Sequence, residues 1–261
     1  MKRTKAARGG IDRLPPAPVV ILVRPQLAEN VGSAARAMLN FGLKELRLVA
    51  PDFGWPNAKA VAAASGAAEI LNRMTIYSET SAATADLQHL YATTARTREL
   101  QKEVVDPAGM ARLAKAELAA GRRVGLMFGP ARTGLDNEDL ILADRLVQIA
   151  VNPLFPSLNL AQAVLLCGYD WHRQEAAAPV AGVDDPPASK GEVADLLAHL
   201  LAELDAVGFF RAADRKVSLS RTIKVMVERM RLTSPEAQLM RGIIKELRRG
   251  PLGRGKPEDP G

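Results

Sequence analysis

Four short apolar runs, VVILV from Val19, ELRLVAP from Glu45, RVGLMFG from Arg123 and LVQIAV from Leu146, alternate with Ala-rich stretches such as ENVGSAARAMLNFG. Runs without polar alternation suit strands buried on both faces, and their alternation with helical stretches predicts a parallel sheet covered by helices on both sides. An α/β domain is therefore expected over residues 18–173. The stretch before it, residues 1–17, is basic, ends in LPPAP and reads as a flexible arm. QEAAAPVAGVDDPPASK, residues 174–190, is a linker by composition. From Gly191 apolar residues recur at helical spacing (Val193, Leu196, Leu197, Leu200, Leu201, Leu204), which predicts a small helical domain over 191–250. Two further helices are expected there, around Ser218–Met230 and Pro235–Arg248, before a Gly/Pro-rich tail over 251–261 that is expected to be disordered.

Composition removes several classes of function. The 261 residues are 48% hydrophobic and 25% charged, as in globular proteins, and no apolar run approaches the roughly 20 residues of a membrane helix. The basic N-terminus is not followed by an apolar segment, so no secretory signal is expected and the cytoplasm is the expected compartment. A single cysteine, Cys167, excludes an internal disulfide, and His89, His172 and His199 lack metal-ligand spacing. No metal is expected.

The net charge of +6 is unevenly spread. Gly208–Gly250 holds eleven Lys or Arg against four Asp or Glu, and Met1–Pro18 holds five against one, so the remainder carries −5. A polyanion would then meet the C-terminal segment and the N-terminal arm, with solvated helix faces and a disordered tail as the plain alternative. Arg211, Arg215, Lys216, Arg221, Lys224, Arg229 and Arg231 are candidates for phosphate contacts, which position RNA without reading its sequence. Phe209 and Phe210 read more readily as packing residues than as a base-stacking platform.

Three segments carry the chemistry. In the first, Asn30, Gly32 and Arg36 lie around the start of a helix that follows a strand; the glycine permits close backbone approach, and Arg36 offers a permanent cation and a fork of donors for a phosphate or an oxyanion. An ordinary helical turn with a solvated arginine would look the same. Gly42 is expected to end that helix. The second segment, FGPARTGL from Phe128, is a loop after a strand whose backbone groups can meet a ligand, or else a β-turn leading to a helix capped near Asp136 or Asn137. In the third, Asn152, Pro153, Pro156, Ser157 and Asn159 stand between the LVQIAV strand and a helix expected from about Leu158. Ser157 is a candidate cap there, and with neither a nearby histidine nor a Gly-x-Ser-x-Gly elbow it is not a nucleophile.

Taken together, ENVGSAARAM, ATTARTRE at Ala92–Glu99, FGPARTGLDNEDL, NPLFPSLNLAQAV and DAVGFF followed by basic helices resemble the SpoU-type RNA 2′-O-ribose methyltransferases of the SPOUT superfamily. The resemblance covers nearly the whole chain. It implies S-adenosylmethionine as methyl donor, a homodimer, and a trefoil knot near the C-terminal end of the catalytic domain. Its substrate would be tRNA at nucleotide 32 of the anticodon loop, with ribosomal RNA or another tRNA position as the alternative. By motif position, Asn30, Arg36, Ser157 and Asn159 would be catalytic, Arg36 activating the ribose hydroxyl and holding the adjacent phosphate. Thr93, Thr94, Gly129, Pro130, Gly134, Ile149, Asn152 and Leu158 would hold the donor. Arg24, Arg96, Arg98, Arg211, Arg221 and Lys224 would contact RNA. Methyl transfer from a sulfonium needs alignment and removal of one proton, with no metal. One position departs from the family pattern, which generally has glutamate where this chain has Ala131; Glu138 or Glu29 could take over its role, or the chain could be an RNA-binding or assembly protein of impaired activity.

Overall fold

The computed structural model describes residues 10–95, 102–174, 186–210 and 213–249. The chain divides into two compact units, Met1–Val183 with Ser189–Gly191, and Asp184–Ala188 with Glu192–Gly261.

The first unit holds a seven-stranded sheet, all of whose pairings are parallel. Its strands are β1 (Val19–Val23), β2 (Leu46–Val49), β3 (Thr75–Tyr77), β4 (His89–Thr93), β5 (Val104–Val105), β6 (Val124–Phe128) and β7 (Arg145–Val147), in the spatial order β3-β2-β1-β6-β4-β7-β5. β1, β2 and β6 are buried along their whole length; β1 and β6 are unbroken apolar runs, and in β2 the buried Arg47 is paired with Glu45 and Asp86. Alternate residues of β1 feed two different cores. Val20 and Leu22 join Val31, Met38, Met110, Val164 and Trp171 on one face, while Val19, Ile21 and Val23 join Ala83, Leu87 and Leu140 on the other.

Helices α1 (Ala28–Asn40), α2 (Ala58–Ala64), α3 (Ala68–Arg73), α5 (Pro107–Ala119) and α7 (Leu160–Arg173) supply the larger core, and α4 (Thr80–Thr84) and α6 (Asn137–Leu142) the smaller one. α1 ends as expected: Gly42 takes a φ of 75°, Leu43 N–H reaches Met38 O at 2.9 Å and Gly42 N–H reaches Leu39 O at 3.4 Å, the paired bonds of a Schellman turn. Gly32 serves a different contact from a ligand. A Cβ there would lie 2.0 Å from Ala60 O, so the glycine admits the backbone of α2.

Three boundaries differ from the sequence expectation. The arm expected to be flexible through Ala17 is anchored at Ile11–Arg13, a short 3-10 helix, because Ile11 is buried in the larger core, Asp12 pairs with Arg73 and Lys44 Nζ donates to Leu14 O at 2.6 Å. β7 stops at Val147 although the apolar run continues to Val151, since its neighbour β5 offers only Val104 and Val105 to pair with. α7 begins at Leu160 and is capped by Asn159 rather than Ser157; Asn159 Oδ1 accepts from Ala161 N–H at 2.8 Å and Gln162 reaches back to Asn159 N–H at 3.2 Å.

The second unit contains α8 (Lys190–Ala206), α9 (Ala213–Met230) and α10 (Ser234–Arg249), which close on a core of Val193, Leu196, Leu197, Val227, Leu232, Ala237 and Ile244. The last part of the expected linker is structured: Pro187 bridges to Thr233, Ala188 is buried in this core and Lys190 begins α8. Phe209 and Phe210 meet edge to face, 5.3 Å between centroids, with Phe209 half-exposed. No helix among the described residues is long and apolar enough to cross a membrane, and none of their His, Cys, Asp and Glu side chains form a group that could hold a metal ion.

Candidate functional site

The site lies at the carboxyl ends of β6, β4 and β7, three adjacent strands, which is where parallel sheets leave loops free to bind ligands. One pocket there is lined by Thr93–Ala95 after β4, Phe128–Leu135 after β6, Val147, Ile149 and Val151 after β7, and Pro156–Leu158 with Leu160 and Ala163 leading into α7. Its lining residues are mostly glycine, proline and small or aliphatic residues. Thr93 Oγ1 donates to Met127 O at 3.1 Å and Thr94 N–H to Val147 O at 3.0 Å, which stitches the three strand ends together.

The β6 loop has its shape because of two glycines. A Cβ on Gly129 would stand 2.3 Å from Leu135 N, and Gly134 takes a φ of 68° while its N–H reaches Pro130 O at 2.8 Å. The loop thus folds onto itself, and its Ala131 O accepts a 3.1 Å hydrogen bond from Ser157 Oγ, so the side chain expected in the pocket also ties the β6 loop to the segment before α7. The helix after the loop begins at Asn137 with Asp136 as its cap, as the sequence suggested.

Of the expected donor-binding residues, Thr93, Thr94, Gly129, Pro130, Gly134, Ile149 and Leu158 line the pocket, and Asn152 does not. Asn152 closes a turn instead, its Oδ1 accepting from Leu154 N–H at 3.0 Å. Asn30 and Asn159, 129 positions apart, meet directly: Asn159 Nδ2 donates to Asn30 Oδ1 at 2.9 Å. Arg36 is exposed on α1, without a hydrogen-bond or ion-pair partner among the described residues, and is not among the pocket-lining residues. Arg24 does not present a free cation to RNA. Its guanidinium is bound to Asp136 at 3.0 Å and to Asp139. Arg96, Arg98 and Arg211 lie outside the described residues, and Arg221 and Lys224 lie part-exposed on α9. Neither carboxylate considered as a stand-in at position 131 lines the pocket; Glu138 is exposed on α6 and Glu29 pairs with Lys59 at 3.3 Å.

Arg132 and Thr133 in the second segment, Ala95 in ATTARTRE and Val151 in the strand end from Ile149 to Asn152 also line the pocket; the sequence placed them inside its motifs without giving any of them an individual role. Arg132 is the one charged residue among the described residues that line the pocket. Cys167 is no candidate nucleophile: burial, aided by Asp170, pushes its thiol up to about 12.

A parallel sheet covered on both faces, with a loop-built pocket at the carboxyl ends of its strands, is the architecture in which α/β proteins bind ligands. The chain belongs to the SpoU rRNA methylase family, whose family model matches residues 17–169, and it is a methyltransferase. It is 33% identical over 233 residues to the tRNA (cytidine/uridine-2′-O-)-methyltransferase TrmJ of Escherichia coli O6:K15:H31, covering 87% of this chain and 94% of that protein. TrmJ of Yersinia enterocolitica is likewise 33% identical, over 238 residues, with coverage of 87% and 90%. Among solved structures, TrmJ from Z. mobilis superposes with a TM-score of 0.82 at 41% identity, covering 89% of this chain and all of that one.

Proposed function

We propose that this chain transfers a methyl group from S-adenosylmethionine to a ribose 2′-hydroxyl of tRNA, at nucleotide 32 of the anticodon loop, as a cytoplasmic homodimer. The observation that carries the proposal is the pocket itself: a cleft at the carboxyl ends of β4, β6 and β7, lined by small and aliphatic residues, whose β6 loop folds onto itself because a Cβ at Gly129 would have no room beside Leu135 N. Such walls fit an adenosine and a thioether better than a polyanion. The TrmJ relatives, spanning the catalytic unit and the helical extension, support tRNA as substrate.

S-adenosylmethionine supplies an electrophilic methyl group and leaves as the neutral thioether. The residues of this chain then have three tasks. Thr93, Thr94, Gly129, Pro130, Gly134, Ile149 and Leu158 hold the donor so that its methyl group faces the ribose. Ser157, Asn159 and Asn30 orient the ribose through hydrogen bonds, and Arg36 takes the adjacent phosphate and favours loss of the hydroxyl proton. Because Arg36 does not line the pocket of its own chain, the proposed homodimer has a chemical use: it can present a guanidinium to a neighbouring pocket. α9 and α10, with Arg215, Arg221, Lys224 and Arg241, supply phosphate contacts. We include in the proposal the division into arm, catalytic domain, linker, helical domain and tail, and the trefoil knot.

Mapping ribose methylation by mass spectrometry on tRNA from cells lacking the gene, with purified protein and S-adenosylmethionine, tests this function. Methylation at nucleotide 32 that disappears with Arg36→Ala is the expected result. A second reading, ribosomal RNA or another tRNA position, is favoured by the family's own description and would give methylation elsewhere. A third, an RNA binder of impaired activity, is motivated by Ala131 and would give tight RNA binding without transfer.

A further inference from the structure

α6 is six residues long, yet its third residue, Asp139, is only 3% exposed. A carboxylate is buried to that extent only where its charge and lone pairs are met. Its partners come from three separate parts of the fold. Arg24, directly after β1, brings its guanidinium to Asp139 and, at 3.0 Å, to Asp136. Thr80, the first residue of α4, donates its hydroxyl to Oδ1 at 2.7 Å. Asp136 N–H donates to Oδ2 at 3.2 Å. Asp136 follows Leu135, the last pocket-lining residue of the β6 loop. Arg24 itself has a φ of 47°, a left-handed conformation that a non-glycine residue keeps only when its surroundings enforce it, and its N–H reaches Val49 O at 2.7 Å. The chain then runs through Pro25–Leu27 into α1, which carries Asn30 and Arg36.

We infer that Asp139 is a positioning residue, a buried clamp that fixes the Gly129–Leu135 loop against the β1–α1 turn and so sets the donor pocket relative to Asn30 and Arg36. The inference rests on the proposed role of that loop in holding the donor. Helix capping alone does not account for the arrangement. Asp136 already accepts from Asp139 N–H at 2.9 Å, and a cap requires neither a guanidinium from β1 nor a hydroxyl from α4.

The test uses the full chain, with S-adenosylmethionine binding followed by calorimetry, tRNA binding by filter assay, and thermal melting, for wild type, Asp139→Asn, Thr80→Val and Arg24→Met. Asp139→Asn keeps the shape and removes the charge that faces Arg24. The expected result is a rise in donor Kd of roughly tenfold or more for Asp139→Asn, a smaller rise for Thr80→Val, and tRNA Kd within about twofold of wild type. Combining Arg24→Met with Asp139→Asn should weaken donor binding by less than the product of the two single effects. Should Asp139→Asn not fold, Thr80→Val and Arg24→Met carry the same comparison. Unchanged donor affinity in the folded variants overturns the clamp and leaves the methyltransferase reading intact. Donor and tRNA affinity falling together with the melting temperature overturns it in favour of a general structural role. A wild-type protein that does not bind S-adenosylmethionine overturns the donor site and the clamp with it.

Discussion

At the scale of single residues, the side chains expected to act on the ribose differ in how they are held. Asn30 and Asn159 are fixed by each other, and Ser157 by Ala131 O, whereas Arg36 is exposed. Arg36→Ala is therefore expected to lower kcat by on the order of a hundredfold with little change in melting temperature, because a transition-state donor is lost without a packing contact. Single-turnover methylation alongside thermal denaturation checks it, and unchanged turnover would remove Arg36 from the reaction. The motif spacing alone could suggest Asn30 and Asn159 but could not pair them, since 129 residues separate them and only the fold sets that distance. Gly32 illustrates the converse. Its place in the first segment suggested a ligand, but its missing Cβ admits Ala60 O, a contact from a helix that the segment does not contain.

At the scale of elements, boundaries depend on partners more than on composition. β7 ends where β5 stops offering backbone groups, and the freed residues Ile149 and Val151 become pocket wall. α7 starts at Leu160, where Asn159, three residues after Pro156, can close a capping box with Gln162. Asn159→Ala is expected to cost about 1 kcal/mol as a lost cap, and to release Asn30 as well. A larger fall in donor turnover than in stability, read by urea denaturation and initial rates, would separate the two effects. Packing of α1 on α2 gives a sharper expectation. Gly32→Ala places a methyl group 2.0 Å from a backbone oxygen, so the helices must part, at about 1–3 kcal/mol, measured as a lower midpoint of chemical denaturation. An unchanged midpoint would mean that α2 is free to shift.

At the scale of the whole molecule, charge and topology set the remaining behaviour. Burial opposes the charge of Glu117, but the His89 imidazole on β4, 3.1 Å away, and the Arg122 guanidinium outweigh it and hold the carboxyl down at about 2. A depressed carboxylate stabilises the fold fully above its ordinary value of 4.5, and that contribution is lost as pH falls from there toward about 2. Glu117→Gln is thus expected to flatten the pH dependence of the melting temperature over that window, and an acid limb identical to wild type would exclude the pair as its source. Binding of tRNA should weaken linearly in log–log with salt, and Arg215→Ala, an exposed cation on α9, should lower the slope by about one if it meets a phosphate. The sequence by itself determined the parallel α/β class and the separate helical unit, because burial on both faces and helical spacing are local properties written in residue type and spacing, while the three segments stood out through their joint resemblance to the SpoU-type enzymes. Only the tertiary structure decided that the second and third segments share one pocket with Thr93–Ala95, that the first meets the third through the Asn30–Asn159 hydrogen bond, that Arg24 is held by Asp136 and Asp139, and that Asp139 joins three elements. Those facts depend on which distant backbones the sheet order β1-β6-β4-β7 makes neighbours, and no local pattern encodes that order.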